Sequence, residues 1–220
     1  MPISPAPPLP VLIPVNRLAV AKGRLSDFLE ADERAELALA TLKTVLAAAR
    51  DAHLRPVVLT ADSRVADVVG GNAEVLLEDP ALDGLNPQLQ RAAATLGGDE
   101  LLILHADLPL ATGAAISAVI AAAAAAPSVT IVRSGDGGTN VMLLRPPGRF
   151  PLAYGPRSAA AHRAAAVRAY MTFREFHDHT LALDLDTAAD IRTLLGLREG
   201  RTSRAGQFLL GIRAPARLDP

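Results

Sequence analysis

Short apolar runs alternate with segments of helical periodicity from the start of the chain to Pro127. Buried strands are predicted at residues 11–15, 56–60, 74–77 and 101–104, and the last of these is the most clearly apolar. Helices are predicted at residues 30–53, 62–69 and 86–96, and from Thr112 to a point before Pro127. Because strands and helices alternate, the connections are crossovers that place successive strands parallel. The pattern therefore predicts an α/β fold with a mainly parallel sheet covered by helices on both faces.

The pattern changes after Pro127, where two strands follow each other without a helix between them. They are predicted at residues 128–133 and 140–144, with a glycine-rich turn between them, so the sheet is expected to be mixed. A helix at 158–170, a strand at 181–185 and a helix at 187–195 complete the predicted elements. The proline-rich residues 1–10 are expected to form a flexible arm, and residues 198–220 a loose tail rich in Arg, Gly and Pro. The predicted organisation is one domain at residues 11–197.

Composition and charge narrow the classes of function. The chain has 220 residues and a net charge of −1, which argues against a protein that coats nucleic acid or anionic lipid. It has no cysteine, which excludes a disulfide framework, a thiolate nucleophile and a zinc–thiolate site. The first residues do not form a signal peptide, and the longest apolar stretch is too short to span a bilayer. A cytoplasmic enzyme with no nucleic-acid or membrane partner is expected.

Acidic residues stand where predicted strands end, which is where open parallel sheets bind their ligands. Asp107 follows the strongest apolar strand, and Asp184 and Asp186 alternate at the end of the last predicted strand. Carboxylates at neighbouring strand ends can share an oxygen-coordinated Mg²⁺. A plain turn residue is an equal alternative for Asp107 taken alone, and Asp186 sits beside a capping box that begins at Thr187. Asp184 is therefore favoured as a direct ligand, and Asp186 is expected to serve mainly at the cap.

The loop after the first strand carries two cations, Lys22 and Arg24. Two cations at the end of a parallel strand favour a clamp for a polyphosphate. The loop lacks the spacing of a P-loop, and its one glycine does not fit a dinucleotide-binding fingerprint. A solvated basic turn is the alternative if this loop is considered alone.

Three further segments could contact a ligand. Thr139 follows the glycine-rich turn, where the backbone can approach a ligand closely. Gly155 and Ser158 stand at the start of the later helix, and a helix start of this kind can bind phosphate or carboxylate. Asn86 begins an earlier helix, which it could cap, or its amide could read the edge of a base. The alternatives are a plain hairpin turn at Thr139 and a simple N-cap at Ser158.

Taken together, these segments resemble the guanylyltransferases of coenzyme F-420 biosynthesis, over residues 11–195. The matching segments are Ile13–Val15 with Ala21–Leu25, Gly84–Asn86, Ala106–Pro109, Gly138–Asn140, Tyr154–Ser158, and Asp184–Thr187 with Asp190. Each segment is weak alone, whereas their joint order and spacing are fairly specific. The resemblance implies a nucleotidyltransferase-type three-layer sandwich that activates 2-phospho-L-lactate or phosphoenolpyruvate with GTP.

The resemblance also implies the roles of the acidic and hydroxyl residues. Mg²⁺ would be held by Asp107 and Asp184, with Asp186 as a further acid beside them. The phospho-acid would contact three residues, which are Thr139, Gly155 and Ser158. Its phosphate oxygen would attack the α-phosphorus of GTP in line and release pyrophosphate. Because this nucleophile is already anionic, no general base is needed.

The nucleotide would be bound by the loop after the first strand and by the turn at Leu85–Asn86. Lys22 and Arg24 would act at the triphosphate, Arg17 would help to bind it, and the Leu85–Asn86 turn would lie near guanine. The family usually has lysine directly before the arginine of the first loop, and this chain has Asn16. One positive charge is therefore missing, and Lys22 or Arg17 would compensate for it.

Two other classes of function remain open. A nucleotidyltransferase of the same fold could use CTP, or could load 3-phosphoglycerate, a sugar phosphate or a pterin cofactor. A non-catalytic nucleotide-binding domain is the second class, and the missing charge at Asn16 is the feature that favours it. Acyl transfer has no support, since no nucleophile elbow is present. The expected partners are GTP, a small phospho-acid and the next enzyme of the pathway, and assembly as a homodimer stays open.

Overall fold

Seven strands form one sheet within residues 7–218, the part of the chain that the computed structural model describes. The strands are β1 Pro10–Val15, β2 Arg55–Thr60, β3 Glu74–Leu77, β4 Leu101–Leu104, β5 Ser128–Arg133, β6 Thr139–Arg145 and β7 Thr172–Phe176. Their order across the sheet is β3-β2-β1-β4-β6-β5-β7. Only β6 runs antiparallel to its neighbours, and the other described pairs are parallel. The prediction of a mainly parallel, mixed sheet is confirmed.

The helices pack on both faces of the sheet. They are α1 Ala31–Asp51, α2 Ser63–Val69, α3 Leu85–Leu96, α4 Gly113–Ala122, α5 Ser158–Arg168, α6 His179–Ala182, α7 Ala188–Gly196, α8 Arg198–Thr202, α9 Arg204–Gly211 and α10 Pro215–Leu218. None of the helices in residues 7–218 has both the length and the hydropathy that crossing a bilayer requires.

Alternate residues of the strands pack into separate cores on the two faces of the sheet. In β1, Val11 and Ile13 belong to the core that contains Leu42 of α1, whereas Leu12 belongs to the core that contains Leu89 of α3. All five side chains are completely buried. Because both faces of the central strands are covered, these strands are continuously apolar, which is the pattern that predicted them. The three-layer sandwich is confirmed.

Residues from 198 onward do not form the loose tail that composition predicts. Helix α8 packs on α7, α9 packs on α1, and Leu209 is completely buried in a third core together with Leu194. The glycines that suggested a loop are positions of close packing. A Cβ atom on Gly200 would overlap the carbonyl oxygen of Leu194, and one on Gly206 would overlap the carbonyl oxygen of Gly200. Glycine is required here by the close approach of backbones, so the prediction of a tail is wrong.

The predicted N-terminal arm is wrong at its carboxyl end, because Pro10 already belongs to β1. Pro10 stands opposite Arg55 in the parallel ladder, and the Arg55 N–H donates to the carbonyl of Leu9 at 3.0 Å. Proline is tolerated as the first residue of a strand, since it lacks a ladder donor. Residues 1–6 of the predicted arm lie outside the described residues.

The strand predicted at 181–185 is wrong, because this segment begins within the short helix α6. Asp178 caps that helix, since its side chain accepts the backbone N–H groups of Thr180 and Leu181. The leucines alternate because the segment passes between two cores, with Leu181 in one and Leu185 in the other. The strand that the pattern did not predict is β7, a partly exposed edge strand with charged residues.

Candidate active site

A cavity of about 530 Å³ opens at the carboxyl ends of β1, β3 and β4. Its walls come from the loop after β1, the loop between β3 and α3, the start of α3, and the segment after β4. The antiparallel β6 brings its amino end to the same edge, and the His105 N–H donates to the carbonyl of Asn140 at 2.9 Å. Thr139, the first residue of β6, therefore lies at the same edge as the segment that carries Asp107. Ligands of open α/β sheets bind in this position.

Lys22 is buried between two carboxylates on the wall of this cavity. Its Nζ atom donates to Oδ2 of Asp107 at 2.9 Å and to Oδ1 of Asp186 at 3.1 Å, and its side chain is 6% exposed. The backbone of Lys22 is left-handed, with φ of +54°, which is uncommon for a lysine. Arg24 is 68% exposed, and its Nη1 atom lies 3.9 Å from Oδ2 of Asp186. Of the two predicted cations, Lys22 thus lies inside the acidic group and Arg24 at its rim.

The loop between α6 and α7 brings Asp184 and Asp186 to Asp107. The Leu185 N–H, between the two acids, donates to the carbonyl of Asp107 at 3.2 Å. Thr187 caps α7 within the predicted capping box, so the carboxylate of Asp186 is not needed there. That carboxylate binds Lys22 instead. The expectation that Asp186 serves mainly at the cap is therefore wrong.

Asp107 and Asp184 differ in pKa. Burial favours a lower pKa for Lys22, but the carboxylates of Asp107 and Asp186 outweigh burial and raise it. Burial alone would raise the pKa of Asp107, and the Lys22 ammonium reverses this, so that pKa lies below its ordinary value. Burial, followed by the charges of Asp107 and Asp186, raises the pKa of Asp184 to about 7. One buried cation therefore leaves part of the negative charge uncompensated.

The three acids fit a divalent metal ion. Each carboxylate of Asp107, Asp184 and Asp186 offers an oxygen, and these oxygens lie within 4.8 Å of one another. The Oδ1 atom of Asp107 is buried and has no hydrogen-bond partner within residues 7–218. A buried carboxylate oxygen without a partner is unfavourable unless a ligand supplies one. Carboxylate oxygens are hard donors that suit a hard divalent cation, so this group could hold such an ion.

Asp184→Asn should stabilise the metal-free protein at pH 8. The folded-state pKa of the Asp184 carboxyl group, about 7, lies above the value of roughly 4 in an unfolded chain, so the folded state binds the carboxyl proton more tightly. Stability is therefore lost as the pH rises from about 4 to about 7, and a neutral amide removes that loss. We expect a gain of about 1–2 kcal/mol at pH 8 and none at pH 4, because partial exposure weakens the effect. Thermal unfolding in the presence of a chelator measures this gain at both pH values. The absence of a gain at pH 8 would contradict the conclusion that negative charge in this group is uncompensated.

Thr139, Ser158 and His162 form a buried hydrogen-bonded group at the amino end of β6. The Ser158 hydroxyl donates to Oγ1 of Thr139 at 3.1 Å, and Nδ1 of His162 lies 3.0 Å from the same oxygen. Thr139 and Ser158 are each 2% exposed, and His162 is completely buried. The N-cap of α5 is Arg157, and Ser158 is the first helical residue, so the N-cap alternative for Ser158 is wrong.

The glycine-rich turn before Thr139 is a tight hairpin turn that docks on α5. Oδ1 of Asp136 accepts the backbone N–H of Gly138 at 2.9 Å and so holds the turn closed. The Ala159 N–H donates to the carbonyl of Gly137 at 3.2 Å. These bonds fix the start of β6 and the start of α5 relative to each other, which brings the two hydroxyls together.

Asn86 holds the backbone of Tyr154. Its Nδ2 atom donates to the Tyr154 carbonyl at 2.8 Å, and its Oδ1 atom accepts the Tyr154 N–H at 2.7 Å. The N-cap of α3 is Gly84, with φ of +83°, so the capping alternative for Asn86 is wrong. Both polar atoms of the amide already have a protein partner. Leu85 lines the cavity and is 38% exposed, and Gly155 directly follows the tethered Tyr154.

The loop that carries Arg17 is tied to α2 by one hydrogen bond on its carboxyl side. Oδ1 of Asn16 accepts the backbone N–H of Arg17 at 2.8 Å. The next N–H, that of Leu18, donates to Asp62 at 2.9 Å, and Asp62 also caps α2. Asn16 lines the cavity, and the side chain of Arg17 is exposed.

Sequence reasoning did not single out three ring side chains that meet near the site. The rings of His105 and Tyr154 are 5.2 Å apart, and those of Tyr154 and His162 are 4.8 Å apart in an edge-on arrangement. Nε2 of His105 and the hydroxyl of Tyr154 are buried and have no hydrogen-bond partner among the residues described. Burial raises the pKa of Tyr154 and lowers that of His105, so both are neutral. The available signal was their position, since His105 directly follows β4 and the other two flank Ser158.

Comparison with known proteins agrees with this arrangement. A family profile described as "Guanylyl transferase CofC like" matches residues 9–217. The phosphoenolpyruvate guanylyltransferase of Thermobaculum terrenum is 32% identical over 203 residues, which cover 90% of this chain and 88% of the relative. The 2-phospho-L-lactate guanylyltransferase of Methanoregula boonei is 35% identical over 184 residues, which cover 83% of this chain and 80% of the relative.

Among solved structures, a candidate nucleotide-diphospho-sugar transferase from Desulfovibrio desulfuricans G20 superposes with a TM-score of 0.78. The superposition covers 97% of each chain at 16% identity, so it shows the nucleotidyltransferase-type fold alone. The family profile and the sequence relatives both extend over most of the chain. The chain therefore belongs to the CofC-like guanylyl transferase family and is a nucleotidyltransferase.

Proposed function

We propose that this protein transfers GMP from GTP to the phosphate of phosphoenolpyruvate or 2-phospho-L-lactate, in coenzyme F-420 biosynthesis. One observation carries the proposal: a carboxylate–lysine group faces a nucleotide-sized cavity at the same sheet edge as a buried pair of hydroxyls. The cavity suits a nucleotide, and the hydroxyls suit a small anionic acceptor. The two relatives named above carry these two acceptors in their names.

The nucleotide would bind in the cavity, with its base toward α3 and its phosphates toward β1. Leu85, which is partly exposed in the cavity wall, would pack against guanine. The amide of Asn86 is bound to the backbone of Tyr154, so Asn86 would support the base site without hydrogen-bonding the base itself. Arg17 and Lys22 would bind the triphosphate as cations of the loop after β1.

Asp107, Asp184 and Asp186 would hold Mg²⁺, the hard divalent ion that commonly accompanies nucleoside triphosphates. When bound, the ion neutralises charge on the phosphates and polarises the reacting phosphoryl group. Lys22 already binds two of these acids in the metal-free protein, so it keeps their carboxylates close together. Arg24 at the rim would supply positive charge where pyrophosphate departs.

In the proposed reaction an oxygen of the acceptor phosphate attacks the α-phosphorus of GTP. A P–O bond forms there, the bond from the α-phosphorus to the bridging oxygen breaks, and pyrophosphate leaves with the negative charge. The nucleophile is already anionic, so no proton has to be removed. Lys22 and Arg24 would stabilise the charge, and the rest of the effect would come from positioning. The product, in which a diphosphate joins guanosine to the acid, would pass to the next enzyme of the pathway.

The acceptor would bind at the start of α5. The Thr139 hydroxyl would donate a hydrogen bond to a phosphate or carboxylate, the Ser158 hydroxyl donates to Thr139, and the first turn of the helix adds partial positive charge. Gly155 would allow the acceptor to approach the backbone closely, since nothing lies near the position of a Cβ atom there.

A panel of nucleotides and acceptors tests this function. The protein is incubated with magnesium, one of GTP, ATP, CTP or UTP, and one acid at a time, and the pyrophosphate released is measured. We expect turnover with GTP and phosphoenolpyruvate or 2-phospho-L-lactate, at least about 100-fold faster than with CTP or ATP, because a site that hydrogen-bonds one base rejects others strongly.

Other outcomes of the panel would contradict the proposal. Turnover with CTP and a sugar phosphate would indicate a different nucleotidyltransferase, and turnover with GTP and 3-phosphoglycerate alone would replace the acceptor. GTP binding without release of pyrophosphate with any acid would indicate a non-catalytic nucleotide-binding domain.

A further inference from the structure

His162 contacts Thr139 inside the protein, and its two ring nitrogens have different partners. Nε2 lies 3.1 Å from the backbone nitrogen of Ala153, and Nδ1 lies 3.0 Å from Oγ1 of Thr139. A backbone N–H can only donate, so Nε2 must be the acceptor and carry no proton. The contact to Ala153 therefore fixes which nitrogen of a neutral ring is protonated.

The ring of His162 is neutral and closely packed. Burial, with a smaller contribution from His105, lowers the pKa of His162 to about 4. A neutral imidazole with a bare Nε2 carries its proton on Nδ1, so Nδ1 donates to Thr139. The rings of Phe150 and Tyr154 lie 5.8 Å and 4.8 Å from that of His162, so rotation of the ring is restricted.

These contacts leave the Thr139 hydroxyl able to act only as a hydrogen-bond donor. Its oxygen accepts from Nδ1 of His162 and from the Ser158 hydroxyl, which uses both of its acceptor positions. The remaining group is the Thr139 proton, which these two contacts leave without an acceptor, so a ligand bound at the start of β6 would receive it. A hydroxyl with both lone pairs occupied is restricted to donating.

We propose that His162 is a positioning residue that holds the Thr139 hydroxyl as a hydrogen-bond donor to the anionic acceptor. The inference rests on the proposed transfer to a phospho-acid and adds to it the residue that orients the acceptor site. His162 does not touch the reacting atoms, and it acts through Thr139. The geometry specifies a neutral ring with its proton on Nδ1.

Two amide substitutions separate the two contacts of His162. In His162→Asn the amide reaches the place of Nδ1, so it can still donate to Thr139 but loses Ala153. In His162→Gln the amide reaches the place of Nε2, so it keeps Ala153 but loses Thr139. We expect the KM for the acceptor to rise about tenfold in His162→Gln and to stay within about threefold in His162→Asn. The KM for GTP and kcat should change little in either variant.

A larger rise of the acceptor KM in His162→Asn than in His162→Gln would overturn the proposal, because it would show that His162 acts by supporting the Ala153 backbone. Equal acceptor KM values in both variants and the unsubstituted protein would overturn it too. In a Thr139→Val background, His162→Gln should add nothing to the acceptor KM, since the residue through which it acts is gone. An undiminished further rise in that background would contradict the route through Thr139.

A measurement without substrate separates this inference from the proposed function. The ¹⁵N chemical shifts of the ring nitrogens distinguish a protonated nitrogen from a bare one, and the His162→Asn spectrum identifies His162 among the five histidines. We expect a protonated Nδ1 and a bare Nε2 at pH 7 in the unliganded protein. A protonated Nε2 would overturn the inference even if the transfer reaction is confirmed. If no acid is guanylylated, the proposed function fails, and the tautomer is still measured.

Discussion

Asp107→Asn should lower the kcat of GMP transfer by about 1000-fold with little change in the fold. Asp107 belongs to the three-carboxylate group and binds Lys22 at 2.9 Å, so an amide removes a metal ligand and weakens the hold on the cation. Loss of one metal carboxylate lowers transition-state stabilisation by on the order of 4 kcal/mol, which is about three orders of magnitude in rate. The measurement is pyrophosphate release with GTP and the preferred acceptor at saturating magnesium.

The matched control for this variant lies at the other end of the same strand. Asp99 is exposed just before β4, whereas Asp107 follows the carboxyl end of β4. Asp99→Asn makes the same chemical change, and its turnover should stay within about twofold of the unsubstituted protein, because exposed substitutions have small effects. Near-normal turnover of Asp107→Asn would refute the metal role. Equal losses in both variants would indicate a general effect of the substitution rather than loss of a ligand.

Lys22→Met should lower the free energy of unfolding of the metal-free protein by about 3 kcal/mol at pH 8. The substitution leaves Asp107 and Asp186 without the cation that now binds both. Removing one partner of a buried ion pair is strongly destabilising, and the expected value is at the lower end because Asp186 is 38% exposed. Turnover should also fall about 100-fold, because a charge at the phosphates is lost. Chemical denaturation with a chelator, and the transfer assay, measure the two effects.

Magnesium should stabilise Lys22→Met more than it stabilises the unsubstituted protein, because the ion supplies positive charge that the variant lacks. Arg24→Met is the matched control for stability. Its guanidinium is 68% exposed and 3.9 Å from Asp186, so its removal should change the unfolding free energy by less than about 1 kcal/mol. Two results would contradict a role for Lys22 as the buried counter-ion. One is equal stability of Lys22→Met and Arg24→Met, and the other is an equal effect of magnesium on Lys22→Met and the unsubstituted protein.

Local pattern predicted the part of the site that depends on one strand and its following loop. Asp107 could be located because β4 is completely buried and ends just before it. Lys22 could be located because it follows β1, although its contacts with two acids that are distant in sequence could not be seen. Features of this kind follow from the rule that ligands bind at strand ends. The central strands and most helices were predictable for the same reason, since their burial repeats over short distances.

Packing between distant segments accounts for what the pattern could not predict. Asp184 and Asp186 were predicted at the end of a strand, but the Asp178 cap starts a short helix, and the two acids lie in the loop after it. The C-terminal helices were missed because Gly200 indicates a loop unless the backbone beside it is known. His162 carries no local signal either, since its meeting with Thr139 requires the hairpin turn to dock on α5.

In the proposed reaction an acceptor phosphate oxygen becomes bonded to the α-phosphorus of GTP. The most direct measurement uses phosphoenolpyruvate and 2-phospho-L-lactate, each labelled with ¹⁸O in the phosphate, with GTP and magnesium, and analysis of the products by mass spectrometry. We expect one new product per pyrophosphate, in which guanosine and the acid are joined through a diphosphate that keeps all of the label. Label in pyrophosphate, or GMP and pyrophosphate without any joined product, would contradict it.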